Sequence, residues 1–356
     1  MADAFITSGM KDAGSQYVHL DDCWMDGLDS SSKLRANSST LPSGSAALAE
    51  YIRGKGPKIG IYETPNTQTC AGVHSGYSGG VGSKGHETQD ARTFAEWGID
   101  CLQYDECRGD MSGFAVMRDA LRATGRPTFC SVNPADPGPR CTPTPTNRSI
   151  EIVNIANLWR IEFDNSANWD SVIRLIDMNK LDYVGGELGH WNDPDMLEVG
   201  NGLNDTDRRA HFSTWAITAV PLITGNDPST MSANTKAILT NNEISAIDRD
   251  PRRKQDRVVA MPGNNREVRS KEMSGTNTRA VVLFNRGTGN ASITVQWRQI
   301  GIAFGAGTVR DLSAGQASAV HGGQCGRPHR RHARDCESVG DIQPAACHCR
   351  ATDAFG

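Results

Sequence analysis

Seven short β-rich runs with helical patterns between them constrain this chain more than any other feature. The runs are Tyr17–Asp22, Lys58–Glu63, Cys101–Cys107, Thr128–Pro134, Asn157–Asp164, Gly189–Met196 and Pro221–Asn226. Between them, apolar residues recur at helical spacing: Ala91, Phe94 and Ala95; Phe114, Met117 and Leu121; Trp169, Val172, Ile173 and Ile176; Phe212, Trp215, Ala216 and Ala219. Strand–helix alternation of this length predicts parallel strands joined by crossover helices. An α/β barrel needs eight strands. Seven are countable, and the chain opens on a helix pattern (Ala4, Phe5, Ile6, Met10, Ala13). The simplest reading is a (β/α)8 TIM barrel over residues 1–249 whose first strand lies upstream of Met1. The competing reading is an open doubly wound sheet. No Gly-x-Gly-x-x-Gly follows a strand, so a dinucleotide site is not supported.

After Asp250-Pro251 the texture changes. Arg257–Pro262, Arg266–Met273, Arg279–Arg286, Ala291–Trp297 and Gly307–Leu312 read as short strands separated by Gly/Asn turns. They predict a small antiparallel β-sandwich domain over 250–315. From 316 to 356 the strand pattern dissolves into Cys/His/Arg-rich text, for which we expect no ordered structure. Cys325, His329, His332, Cys336, Cys347 and Cys349 could supply zinc ligands, but no paired Cys-x-x-Cys accompanies them. An out-of-frame stretch replacing the last strands after Asp311-Leu312 fits this text better. No metal and no cofactor are expected.

Composition narrows the function classes. The net charge is -4 and the pI about 6.1, which does not favour a nucleic-acid partner. No run approaches the ~18 apolar residues of a membrane span, so no membrane association is expected. The first ten residues carry no basic segment followed by an apolar one, so they do not read as a signal peptide. The first six of ten cysteines are spread along the chain, which suits one or two disulfides in an exported enzyme. The sequons at Asn37, Asn147, Asn204 and Asn290 are short enough to arise by chance.

In an α/β barrel, polar residues at the carboxyl ends of strands build the active site. Those ends hold Asp21 and Asp22, Tyr62, Gln103 and Asp105, Asn133, Arg160 and Asp164, Asp193 and Asp195. One acidic residue there is usually a helix cap; several converging on one mouth are not. Two carboxylates across a pocket can hydrolyse a glycosidic bond, one attacking the anomeric carbon and the other protonating the leaving oxygen. Asp105 ends Leu-Gln-Tyr-Asp, and Asp164 ends Leu-Trp-Arg-Ile-Glu-Phe-Asp with Arg160 four residues earlier. Double displacement predicts their carboxyl groups about 5–7 Å apart. Asp193, in Asn-Asp-Pro-Asp, reads as a turn-former. Glu106 and Glu162 read as charges behind the site or on the surface. Trp24, Trp159 and Trp191 read either as a sugar platform or as core.

The chain resembles glycoside hydrolase family 27, the α-galactosidase and α-N-acetylgalactosaminidase group. The resemblance rests on Asp12–Trp24 (Asp-Ala-Gly-Ser-Gln-Tyr-Val-His-Leu-Asp-Asp-Cys-Trp), Lys58–Gly72, Gly85–Cys107, Leu158–Asp164, Gly189–Gly200, Pro221–Asp227 and Ala246–Gln255, and covers about residues 1–312. It implies a retaining exo-glycosidase acting on terminal α-D-galactosyl residues of a galactose-containing saccharide, secreted or extracytoplasmic. It further implies Asp105 as nucleophile, Asp164 as acid/base, Asp21 and Asp22 on O6 and O4 of galactose, and Tyr62, Arg160 and Asp195 positioning the sugar. A Cys70–Cys107 disulfide beside the nucleophile strand is implied too.

Several residues depart from the family. Gln103 stands where the family usually has Lys, removing a positive charge near Asp105. The Cys130–Pro134 stretch with Asn133 matches neither animal version of the loop that selects the 2-substituent. The opening strand is absent, and with it the usual partner of Cys23, which we expect unpaired. The alternatives are a related β-L-arabinopyranosidase or α-N-acetylgalactosaminidase, an inactive fragment or carbohydrate-binding protein, and, less in keeping with the residues, a metal-dependent phosphohydrolase.

Overall fold

The computed structural model describes residues 1–108, 111–134, 152–181, 189–263, 265–302, 306–313, 316–321, 324–326 and 336–343. Within them the chain divides into two compact units. One holds Met1–Asn165, Asp177–Asp195 and Pro228–Thr230; the other holds Ser166–Ile176, Met196–Asp227 and the chain from Met231 onward.

In the first unit, β1 (Tyr17–Leu20) is followed by a hairpin of β2 (Met25–Leu28) and β3 (Leu34–Ala36) that the strand count overlooked. Then come β4 (Lys58–Glu63), β5 (Cys101–Asp105), β6 (Phe129–Asn133), β7 (Leu158–Arg160) and β8 (Trp191–Asp193). Strands β1 and β4 to β8 form one parallel sheet in chain order. Helices α1 (Ala2–Thr7), α2 (Gly44–Gly54), α3 (Cys70–Ser75), α4 (Glu87–Trp97) and α5 (Ser112–Ala123) lie between them, and α6 (Trp169–Leu181) follows β7. This is the parallel strand–helix architecture of a TIM barrel. The seventh expected run, Pro221–Asn226, is no strand; it contributes a single parallel bridge, Leu197 to Thr224, in the second unit.

Register decides what the barrel does with each residue. Side chains alternate faces along a strand, and the pairings align Tyr62 with Gln103, Asp105 with Asn133 and Arg160 with Asp193. One face of the sheet therefore carries Tyr17, His19, Gly60, Tyr62, Gln103, Asp105, Phe129, Ser131, Asn133, Arg160, Trp191 and Asp193. The other carries Val18, Ile59, Ile61, Leu102, Tyr104, Val132 and Trp159. These pack with Phe94 of α4 and with Phe114, Met117 and Leu121 of α5 into one apolar cluster. A sheet covered on both faces explains why β4 is buried over Ile59–Glu63.

The polar-bearing face is plugged by rings below its strand ends. Tyr17 lies 5.7 Å from His19 and 6.4 Å from Phe129, and Phe129 lies 6.0 Å from Trp191, centroid to centroid. Gly60 makes room for this layer: a Cβ there would sit 2.0 Å from the His19 ring. Burial pushes His19 down to about 4, so the imidazole is a neutral filler.

The second unit is built on an antiparallel sheet, β14–β13–β16–β11–β10–β9, and a smaller pair of β12 and β15. The members are β9 (Arg257–Ala260), β10 (Arg266–Glu272), β11 (Arg279–Asn285), β12 (Thr294–Gln296), β13 (Ala306–Asp311), β14 (Gln316–His321), β15 (Gln324–Gly326) and β16 (Cys336–Gln343). All five strands read from the sequence are present. The tail differs from expectation: β14, β15 and β16 form where no order was foreseen, and β16 pairs with both β11 and β13. A strand inserted between two others gains its backbone hydrogen bonds from both sides, so it does not need strong side-chain patterning. Of the six candidate zinc ligands of the tail, Cys325 lies in β15 and Cys336 begins β16; the other four, and the side chains of all six, lie outside the described residues.

Elements from both sides of the texture boundary at 249/250 share one apolar cluster. Helix α7 (Asp205–Thr218) is buried from Ala210 to Thr218. Its Phe212, Trp215 and Ala216 share a cluster with Ala280, Val282 and Phe284 of β11 and with Val172 and Ile176 of α6. A helix buried on all sides must satisfy its polar side chains within the fold, and Thr214 Oγ1 donates to the Ala210 carbonyl at 2.9 Å. Helices α8 (Ala233–Leu239) and α9 (Asn242–Asp248) join the same cluster through Ile238, Leu239, Ile244 and Ile247.

Candidate active site

Every site residue read from the sequence lies in the first unit, at or just beyond the carboxyl ends of the parallel strands. Asp105 is the last residue of β5. Its Oδ2 accepts a hydrogen bond from the Tyr62 hydroxyl at 3.0 Å, and Cys70 Sγ lies 2.9 Å from the same oxygen. The Tyr62 hydroxyl in turn accepts from the Cys70 backbone N–H at 3.3 Å. Cys70 is bonded to Cys107, which ties the start of α3 to the segment after β5. Cys70, Asp105 and Cys107 are also the one group of three metal-ligand types that cluster among the described residues. With both sulfurs joined to each other, the thiolates a metal needs are absent.

Burial is the main force on Asp105. It lifts the carboxyl from 3.8 to about 7, against the Tyr62 hydrogen bond and the Arg160 charge, which lower it. The carboxylates of Asp164 and Asp21 add to the rise. The Tyr62 phenol is pushed far above its ordinary value, chiefly by burial and then by the Asp105 charge. It is a fixed hydrogen-bond donor.

Asp164 stands beyond β7, with its side chain 84% exposed, and Arg160 Nη1 donates to its Oδ1 at 2.8 Å. Arg160 is buried and shared: Nη2 lies 3.0 Å from Asp195 Oδ1, and Nε lies 3.9 Å from Asp193 Oδ2. Burial acts to lower the guanidinium, but Asp193, Asp195 and Asp164 outweigh it and raise its pKa. Asp195 Oδ2 accepts from Asn165 N at 2.7 Å, beside Asp164.

Asp21 and Asp22 follow β1. Asp21 Oδ1 accepts from Asp22 N at 2.8 Å, and Asp22 Oδ1 accepts from Cys23 N at 2.6 Å. Asp22 Oδ2 accepts from Ala71 N, in the first turn of α3, at 2.8 Å. Asp22 thus anchors the segment that also carries the disulfide. Cys23 is free, as expected, and holds a positive φ of 66°. Gln103 and Asn133 share the face of Asp105, one two residues earlier on β5 and one paired with it on β6.

The structure decides several readings that the sequence leaves open. Glu106 is buried, with Oε1 accepting from Asn66 Nδ2 at 3.0 Å and from Arg108 N at 2.6 Å; it is a strut for the loop after β5, not a surface charge. Glu162 is likewise buried, and its Oε1 takes the N–H of Phe163 at 3.0 Å. Trp24 and Trp159 are core residues, and Trp24 Nε1 donates to the Tyr62 carbonyl at 2.8 Å. Buried Glu63 and Tyr104 were missed. Strand alternation after Tyr62 and Gln103 would have found them, since it turns both toward the helices.

Comparison with known proteins bears on the family and the fold. Residues 1–250 match a family model described as alpha galactosidase A, and residues 263–330 match one described as the alpha galactosidase C-terminal beta sandwich domain. The chain is 39% identical over 328 residues to an alpha-galactosidase of Oryza sativa, covering 90% of this chain and 75% of the relative. It is 43% identical over 260 residues to alpha-galactosidase A of Cellvibrio japonicus, covering 70% of this chain and 62% of the relative. Alpha-galactosidase I of Mortierella vinacea superposes with a TM-score of 0.83 at 29% identity, over 95% of this chain and 92% of that one. A β-L-arabinopyranosidase of Geobacillus stearothermophilus superposes with a TM-score of 0.80 at 20% identity, over 97% and 92%, a likeness of fold alone. No helix among the described residues is long and apolar enough to cross a membrane. A barrel with paired carboxylates at its strand ends, two matched family models and relatives near 40% identity lead to one statement: the chain belongs to the α-galactosidase family of glycoside hydrolases, family 27.

Proposed function

We propose that this chain is a retaining exo-glycosidase that releases terminal α-D-galactosyl residues, with Asp105 as nucleophile and Asp164 as acid/base. Asp105 Oδ attacks the anomeric carbon while Asp164 gives its proton to the glycosidic oxygen, whose bond to that carbon breaks. Water then attacks the galactosyl–Asp105 ester, Asp164 takes the water's proton, and Asp105 leaves as carboxylate. Tyr62 holds the nucleophile's second oxygen. Asp21 and Asp22 accept from O6 and O4 of galactose. Gln103, Asn133, Arg160 and Asp195 orient the ring and the acid/base.

The observation that carries this reading is the partly buried Asp105 carboxylate, held by Tyr62 at a strand end and facing the charges of Asp164 and Arg160. An axial O4 held by the half-buried Asp22 carboxylate separates galactose from its equatorial epimer, because the wrong epimer leaves polar groups unmet at roughly 1–3 kcal/mol each. The Cys70–Cys107 disulfide suits a protein that matures in an oxidising compartment outside the cytoplasm. The test is hydrolysis of p-nitrophenyl α-D-galactopyranoside beside the β-L-arabinopyranoside and α-N-acetylgalactosaminide, with proton NMR of the first product. Turnover of the galactoside with α-galactose appearing first supports the reading. Galactose binding without turnover, or inversion at the anomeric carbon, overturns it.

A further inference from the structure

Arg160 offers three nitrogens, and the structure distributes them unequally. Nη1 serves Asp164 at 2.8 Å and Nη2 serves Asp195 at 3.0 Å. Nε is buried with no hydrogen-bond partner. The carboxylate oxygen beside it is Asp193 Oδ2, 3.9 Å away and just outside hydrogen-bond range. Asp193 ends β8, and its register with Arg160 puts both on the same sheet face.

Asp193 also shapes the turn that follows. Its Oδ1 accepts from Asp195 N at 2.8 Å, an Asx turn across Pro194. Asp195 holds a φ of 78°, a left-handed conformation that a non-glycine residue adopts only when its surroundings hold it there. The turn aims Asp195 at both Arg160 and Asn165 N. One partly buried carboxylate thus supports Arg160 directly and through the next acidic residue.

We propose that Asp193 is a positioning residue whose negative charge, with that of Asp195, seats Arg160 independently of Asp164, so that Asp164 can hold its proton for the leaving group. The inference rests on the glycosidase reading above. During double displacement Asp164 alternates between acid and carboxylate, and each time it takes up a proton it loosens its grip on Nη1. Asp193 and Asp195 keep the guanidinium in place through that cycle and neutralise the charge that would otherwise strip the proton from Asp164. Among the described residues, the acidic Asp21 and Asp105 also interact electrostatically with Asp164, and Arg160 is the cation bonded to it, whose charge Asp193 and Asp195 offset. No step is added to the reaction; the same proton reaches the same oxygen.

The test is Asp193→Asn, whose amide oxygen can still accept from Asp195 N while the charge is gone. Two aryl α-galactosides are compared: the phenyl compound, whose leaving group needs a proton, and the 2,4-dinitrophenyl compound, which does not. The expected result is a loss of about 10–100-fold in kcat/KM for the phenyl substrate and a change within about 3-fold for the dinitrophenyl one. The basic limb of the pH profile for the phenyl substrate should move down by about half a pH unit or more. Asp193→Ser, whose hydroxyl can accept the same N–H, gives the same comparison if the Asn variant folds poorly. Equal losses on both substrates with an unmoved limb mean that Asp193 only builds the turn, and the inference falls. Wild-type chain that never turns over either substrate removes the glycosidase reading, and this inference with it.

Discussion

Asp105→Asn should make this protein more stable and catalytically dead, with the first effect depending on pH. Burial lifts the Asp105 carboxyl from 3.8 to about 7. The folded chain therefore binds this proton more tightly than the unfolded chain does. Stability contributed by the protonated form is fully present below pH ~4 and is lost as the pH climbs toward 7. A rise of some three units at roughly 1.4 kcal/mol each corresponds to about 4 kcal/mol of destabilisation above pH ~7. That figure is a ceiling, since asparagine keeps its own desolvation cost and remains an acceptor for Tyr62. The expected outcome is an Asn variant that matches wild type near pH 4 and exceeds it by up to ~4 kcal/mol at pH 8. Urea unfolding of both proteins at pH 4.5, 6 and 8 reads this directly. Turnover should fall by roughly four orders of magnitude or more, as expected for loss of a nucleophile. In the wild type, kcat/KM should fall as the pH drops below about 7, because a nucleophile must be ionised. A stability difference that does not change with pH, or a variant less stable than wild type at pH 8, would refute the reasoning: the carboxylate would then not be held against its desolvation.

Gln103→Lys places an ammonium two residues before Asp105 on the same face of β5. An opposite charge at ~4–6 Å lowers a carboxyl by about 1–3 units, so the acidic limb of kcat/KM should move down by about a unit or more; an unmoved limb would show that residue 103 does not reach Asp105. Tyr62→Phe removes the hydrogen bond that lowers Asp105, so the same limb should move up and kcat/KM at pH 6 should fall about 10-fold or more, as measured with an aryl galactoside. Gly60→Ala drives a Cβ to within 2.0 Å of the His19 ring. Overpacking of that kind costs about 1–3 kcal/mol or more, and thermal unfolding should show it as a fall of several degrees; an unchanged midpoint would mean the ring layer yields easily.

The α/β alternation, the five C-terminal strands and the acidic residues at strand ends were all legible along the chain. Each depends on local pattern: period 2 in the strands, period 3.6 in the helices, and the rule that barrel chemistry gathers at carboxyl ends. Strand register then brought Tyr62, Gln103, Asp105, Asn133, Arg160 and Asp193 to one face, and that follows from alternation once the pairing is known. The partners of the buried acids were not legible. Nothing local in Asn-Asp-Pro-Asp says that Asp193 faces Arg160 as well as turning the chain. Nothing in Asp-Glu-Cys says that Glu106 is buried against Asn66, forty residues earlier.

Sequence by itself determined which residues could sit on which face, because backbone geometry repeats every two or every 3.6 residues regardless of context. Tertiary structure alone decided how strongly each charge is held, because desolvation and the distance to a partner depend on what the rest of the chain brings alongside. The same aspartate side chain titrates near its ordinary value in water. At the end of β5 it rises to about 7 because the chain has folded around it. Packing likewise decided that the tail supplies strands to the antiparallel sheet, since a strand between two others is held by backbone hydrogen bonds that no side-chain pattern records.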